Sequence, residues 1–295
     1  YDFRLAGPTN LKKFGVFVDL QKLIEKAYEM NNNKKVFIIG HSFGCTLANN
    51  FLSTFVSTSW KQKYIEAYLS ISGPYGGAVE CFASVAAYRQ WIVPGITLKE
   101  SYDGLKYMAP NYWMLPNKFG FDEDNDIIAE IPSINISLTI KNMTWVFEST
   151  GRQKQLKASN NVKDIRNQIQ APGVKSYIFM CTGVNTIVKM LYNYNFSQSQ
   201  LNESKETQVS NQEESQQDYW WKHEGVEIYG DGDNSVSVKS LRVPHLWKEM
   251  QKEPVIFKEY SGNGVDHSGI LRDKKFLNDL SEILVGNKTD EGKEL

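Results

Sequence analysis

The sequence predicts an α/β fold built around a parallel sheet, on three observations. Residues 35–44 read KVFIIGHSFG, in which a continuous apolar run at 36–39 ends in a G-x-S-x-G motif, Gly40-His41-Ser42-Phe43-Gly44. Apolar residues at helical spacing follow at once: Leu47, Ala48, Phe51, Leu52 and Phe55. A second strand-like run, YIEAYLSI at 64–71, comes after that helix and is stopped by Ser72-Gly73-Pro74-Tyr75-Gly76-Gly77. Strand, helix, strand at this spacing calls for a right-handed crossover between parallel strands.

The run at 36–39 has no alternation, which suits a strand covered on both faces. A strand, then G-x-S-x-G, then a helix is the context of a nucleophile elbow. The turn is tight, so side chains at Gly40 and Gly44 are expected to collide with the crossing backbone, and glycine permits the approach. Ser42 then sits at the carboxyl end of a strand, faced by the N-terminus of the next helix. The competing reading is a glycine-rich turn whose serine only caps that helix.

The other elements follow in order. Phe17, Leu20, Ile24 and Ala27 predict an amphipathic helix over 16–30. Residues 78–132 break the strand–helix rhythm with Tyr88, Trp91, Tyr107, Tyr112, Trp113 and four prolines, Pro94, Pro110, Pro116 and Pro132, and read as an excursion from the sheet. Helical patterns return at 138–170. VKSYIFM at 174–180 and PVIFKEY at 254–260 are two more strand candidates. Residues 197–218 hold two aliphatic residues, Leu201 and Val209, among 22 and are expected to be a disordered surface loop. A closing helix is expected over 270–285, with Leu271, Phe276, Leu277, Leu280, Ile283 and Leu284 on its apolar side.

Composition narrows the function classes. The chain has 295 residues, 41% hydrophobic and 23% charged, which is ordinary for a globular protein of this size. A net charge of −1 gives no reason to expect a nucleic-acid partner. No apolar run is long enough to suggest a membrane-spanning helix. Cys45, Cys81 and Cys181 form neither a disulfide framework nor a metal-ligand pattern, and no metal or cofactor is expected. Five N-x-[S/T] sequons, at Asn135, Asn142, Asn195, Asn202 and Asn287, lean toward the secretory pathway and a glycoprotein.

A serine nucleophile needs a base and an acid. The four histidines are His41, His223, His245 and His267. His41 lies inside the elbow with its side chain committed beside the serine. His223 precedes the best acid candidates, and His245 falls in an expected helix. His267 lies in SGNGVDHSG, a polar glycine-rich loop directly after a strand, and is the expected base. The loop Gly230-Asp231-Gly232-Asp233-Asn234-Ser235-Val236 offers two carboxylates, either of which would hold the imidazole tautomer. Turn chemistry is the plain alternative, since D-G-D-N also suits a turn and the spacing lacks the closing acid of a calcium loop.

With these pieces in place the chain resembles the lecithin:cholesterol acyltransferase family. The stretches that carry the resemblance are YDFRLAGP at 1–8, VFIIGHSFGCTLANNFL at 36–52, WKQKYIEAYLSISGPYGG at 60–77, PNYWMLP at 110–116, PSINIS at 132–137, GDGDNSV at 230–236 and the His267 loop. PSINIS followed by a helix is similar to the lysosomal phospholipase branch. The resemblance implies an α/β-hydrolase fold with a lid and cap insertion. Residues 1–77 and 171–295 would form the core, and 78–170 the lid and cap. It implies Ser42 as nucleophile, Asp233 of a D-x-x-V pattern as acid, His267 as base and the Phe43 backbone N–H as an oxyanion donor.

It also implies an acyl-lipid substrate such as a glycerophospholipid. The acyl acceptor would be water or a lipid alcohol, the location lysosomal or extracellular. Trp91 and Trp113 would serve acyl-chain or membrane contact, with ordinary packing between cap and sheet as the plain alternative. Two departures stand out. The family disulfide near Cys181 has no partner cysteine in 240–247. The family's first strands and oxyanion loop precede the motif at which this chain starts, so the early strands and the second oxyanion donor are expected to be missing. A soluble serine carboxylesterase and a catalytically incomplete lipid-binding fragment are the alternatives.

Overall fold

The apolar runs that bracket the elbow become neighbouring strands. The structure is a computed structural model and describes residues 11, 13–89, 95–192 and 220–286. Its strands, in chain order, are β1 (Val36–His41), β2 (Ile65–Ile71), β3 (Ala129–Ile131), β4 (Ile136–Leu138), β5 (Ser176–Cys181), β6 (Val184–Leu191), β7 (Val226–Gly232) and β8 (Val255–Tyr260). The motif at 1–8, Trp91, the expected loop at 197–218 and three of the sequons lie outside the described residues.

The chain divides into two compact units. One falls within Lys12–Tyr75, Ile169–Thr186 and Gly230–Leu295, the other within Tyr1–Leu11, Gly76–Gln168 and Ile187–Tyr229. The first unit holds a four-stranded parallel sheet in the order β1-β2-β5-β8. β2 is buried along its length except at Glu66, as a central strand requires. Ala67, Leu69, Ile71, Phe179 and Tyr260 form a core on one face with Ile270 and Phe276. Phe17 of the helix Val16–Met30 packs edge-on against Phe51, with ring centroids 5.5 Å apart.

Three features differ from the sequence reading in this unit. Among the described residues β1 pairs only with β2, and Ile39 is 48% exposed, so the cover expected on both faces is incomplete there. The elbow helix runs Phe43–Asn50 and then widens into a π-helical turn, Phe51–Phe55. The closing helix begins at Lys274, because the Asp273 carboxylate accepts from the Phe276 N–H and caps it. Of its expected apolar side only Phe276 is fully buried, while Leu271, Leu277 and Leu284 are 40%, 44% and 38% exposed.

The second unit packs short helices about its own core, which includes Phe82, Tyr112, Phe147, Ile187 and Trp220. The excursion at 78–132 is more regular than its composition suggests, with helices at Val79–Ala86, Leu98–Leu105 and Ala109–Trp113. Thr97 and Glu100 form a reciprocal capping box for the second of these. β3 pairs antiparallel with β4 and parallel with β6, where Ala129 faces Met190. That pairing explains a difference in organisation. Residues 171–295, apart from the insertion at about 197–218, are expected to belong to the core, but the far end of β6 is held by β3, and residues 187–192 and 220–229 group with the second unit. Among the described residues no helix is long and apolar enough to cross a membrane.

Candidate active site

Ser42 takes φ 54° and ψ −127°, a backbone conformation that a non-glycine residue adopts only under constraint. The constraint is visible. The Ser42 N–H donates to Ile71 O at 2.9 Å, tying the elbow to β2. The Cys45 N–H returns to Ser42 O at 2.9 Å and starts the helix. The buried Cys45 thiol donates to Gly40 O at 3.0 Å, and Tyr68 Oη donates to Cys45 O at 2.9 Å. A Cβ on Gly40 would lie 2.9 Å from Cys45 N and 3.0 Å from Cys45 Cα, so only glycine fits. Gly44 differs from expectation: a Cβ there meets nothing within 4 Å. The close approach is therefore confined to the residue two before the serine.

His267, the expected base, lies in the loop after β8. His267 Nε2 lies 2.8 Å from Ser42 Oγ, and His267 Nδ1 lies 2.8 Å from Asp233 Oδ2. This geometry suits the tautomer in which Nδ1–H donates to the carboxylate and Nε2 accepts the serine proton. The His267 side chain is 14% exposed and that of Asp233 is 0% exposed. Asp233 Oδ1 accepts from the Val236 N–H at 2.7 Å and the Ser235 N–H at 3.1 Å. A carboxylate this deeply buried needs such partners, since an unpaired charge away from water is strongly unfavourable.

Asp231 is placed elsewhere. β7 extends through Gly232, so Asp231 is a strand residue, exposed, and its Oδ1 accepts the Gly183 N–H at 2.7 Å. Phe43 is the first residue of the elbow helix, next to Ser42. Trp113 is buried, at 5% exposure. Neither His223 nor His245 joins the site; His245 stacks on Phe257 at 3.8 Å. Cys181 is free, as are Cys45 and Cys81.

Two contacts were not legible in the sequence. His41 Nε2 lies 2.7 Å from His267 O. The Asp266 carboxylate accepts from the Gly269 N–H at 2.7 Å and the Ser268 N–H at 3.1 Å, which shapes the loop carrying His267. Those hydrogen bonds, Gly269 first, hold the Asp266 carboxyl below its ordinary range. An aspartate two residues before Ser-Gly, in Asp266-His267-Ser268-Gly269, is a turn signal that could have pointed to it. The His41 contact spans 226 residues and leaves no local signature.

A parallel sheet with a nucleophile-elbow turn after β1 defines the class: this is an α/β-hydrolase fold. The lecithin:cholesterol acyltransferase family model matches residues 1–148, and the chain belongs to that family. It is 26% identical over 289 residues to phosphatidylcholine-sterol acyltransferase of Mus musculus, covering 97% of this chain and 58% of that protein. It is 23% identical over 286 residues to lysosomal phospholipase A and acyltransferase of Homo sapiens, covering 97% and 61%. Lecithin-cholesterol acyltransferase-like 1 of Arabidopsis thaliana is 23% identical over 285 residues, covering 95% and 58%. The chain thus spans about three fifths of the length of these relatives.

Proposed function

We propose that the chain carries the catalytic serine of a lipid O-acyltransferase or phospholipase A. The observation that carries this reading is the continuous hydrogen-bonded path from Ser42 Oγ through the His267 ring to the buried Asp233 carboxylate. The acyltransferase and phospholipase names of the family relatives supply the substrate class.

In this reading His267 Nε2 takes the Ser42 proton as Oγ attacks the acyl carbonyl carbon of a glycerophospholipid. The carbonyl π pair moves onto oxygen, and the Phe43 N–H donates to that oxyanion. As the intermediate collapses, the ester C–O bond breaks, and the imidazolium returns its proton to the departing lyso-lipid oxygen. Water or a lipid alcohol then attacks the acyl-serine as His267 takes its proton, the acyl C–Oγ bond breaks, and the imidazolium returns the proton to Ser42 Oγ. Asp233 holds the ring tautomer and stabilises the imidazolium in both halves. A secretory-pathway location, lysosomal or extracellular, accords with the same relatives and with exposed sequon asparagines at 135 and 142.

The test is acyl release from long-chain phosphatidylcholine vesicles, with and without a lipid alcohol, beside acetyl and butyryl nitrophenyl esters. Ser42-dependent turnover that favours long-chain lipid supports the reading. Turnover confined to short soluble esters would replace it with a small-ester carboxylesterase. Lipid binding with no acyl-serine formed would replace it with a binding role.

A further inference from the structure

The loop that presents the base has little structure of its own. Residues 261–264 are exposed, and Gly262 and Gly264 take φ 134° and 77°. Val265 anchors the loop below, at 8% exposure, and Asp266 braces the turn above it. What places the His267 backbone itself is a pair of hydrogen bonds on either side of its Cα. Its N–H donates to Asp233 O at 2.6 Å. Its carbonyl oxygen lies 2.7 Å from His41 Nε2 and, being an acceptor, requires that nitrogen to carry the proton. The first bond ties the base to the acid loop. The second ties it to the elbow, one residue before Ser42.

We propose that His41 is a positioning residue for acyl transfer: its Nε2–H holds the His267 carbonyl and so sets the distance between the base and Ser42 Oγ. The inference rests on the catalytic reading of Ser42 and His267 above. His41 and Ser42 are consecutive and share the constrained elbow, so the nucleophile and the tether to its base move as one body. The residue type also fits. The His41 and His267 rings are 5.0 Å apart, and the other charged group facing His41 is Asp233. Burial is the main influence on His41 and lowers its pKa, so it remains a neutral donor over more of the acid range. A neutral donor leaves the imidazolium that forms on His267 without a neighbouring cation. A lysine in its place would donate equally well but oppose that charge.

The test uses three variants, His41→Ala, His41→Phe and His41→Gln, in the full 295-residue chain. Phe keeps the ring volume without a donor, and Gln restores a neutral N–H donor. The readouts are the saturating rate and half-saturation concentration for Ser42 labelling by a long-chain alkyl fluorophosphonate, together with Tm. We expect Ala and Phe to lower the saturating rate roughly tenfold or more, the effect of a misplaced base, with half-saturation unchanged. Gln should recover most of the rate, and Tm of Phe and Gln should match. Labelling of the Phe variant at the parent rate overturns the proposal, as does a Gln variant no faster than Phe at equal Tm. If the parent chain does not label at Ser42 at all, the catalytic reading fails and the positioning role fails with it; parent labelling with an indifferent Phe variant removes only the latter.

Discussion

Asp233 and Val236 are joined by a 2.7 Å hydrogen bond from the Val236 N–H to the carboxylate oxygen that does not face His267. One oxygen is thus reserved for the loop and the other, Oδ2, for the imidazole at 2.8 Å. The D-x-x-V spacing is therefore a turn closed by the aspartate's own side chain, and it aims the carboxylate. Asp233→Asn should slow Ser42 acylation by about 10⁴-fold through loss of the correct tautomer. Asp231→Asn should leave the rate within about threefold, since its side chain serves the Gly183 N–H. Acylation kinetics of the two variants check this. The reverse order of effects would make Asp231 the acid.

The two glycines of the elbow should separate sharply. Gly40→Ala forces a Cβ to 2.9 Å from the Cys45 backbone nitrogen, a contact that cannot relax without moving the helix start. A loss of roughly 1–3 kcal/mol in stability is expected from such overpacking, with Ser42 displaced. Gly44→Ala enters open space within a helix and should be neutral or up to about 1 kcal/mol stabilising. Urea midpoints of the two variants measure the contrast; equal destabilisation would mean that the elbow packs differently.

The elbow thiol should be silent. Cys45 is 0% exposed, and burial pushes its thiol up to about 11; Cys181, also 0% exposed, is pushed up to about 12. At pH 8 almost no thiolate exists at either position. A soluble aromatic disulfide reagent should therefore modify Cys45 and Cys181 only as the chain unfolds in urea. Rapid modification of Cys45 in native buffer would show that the elbow opens on the timescale of the assay.

Asp266 couples the base loop to pH. Its folded pKa is lowered, chiefly by the Gly269 N–H, so the carboxylate stabilises the fold above its unfolded pKa. That contribution is lost as pH falls through the lower, folded value. Asp266→Asn should lower Tm at pH 7, and the difference should shrink steadily as pH falls below the ordinary carboxylate range. A Tm difference that does not change with pH would mean that the carboxylate's charge plays no part in holding the loop.

The elbow and the order of its catalytic candidates were readable because each depends on local chemistry. The 36–39 run, the glycines and the polar residues at 261–269 announce strand, tight turn and surface loop. β6 was not readable: VNTIVKML at 184–191 adjoins a polar stretch, and its placement depends on pairing with β3, which begins 55 residues earlier. The periodicity of 270–285 was real, but Asp273 moved the helix start and left Leu271 outside it. The choice between Asp231 and Asp233 came from the family pattern, because both sit among glycines; the structure separates them by letting β7 run one residue past Asp231.

In the proposed mechanism Ser42 is a nucleophile activated by His267. The most direct measurement is site-resolved mass spectrometry of the chain after brief exposure to a long-chain alkyl fluorophosphonate, beside Ser42→Ala and His267→Ala. A single adduct is expected on the peptide containing Ser42, absent in Ser42→Ala and formed at least about 10³-fold more slowly in His267→Ala. An adduct on another residue, or labelling of Ser42 at an unchanged rate without His267, would contradict it.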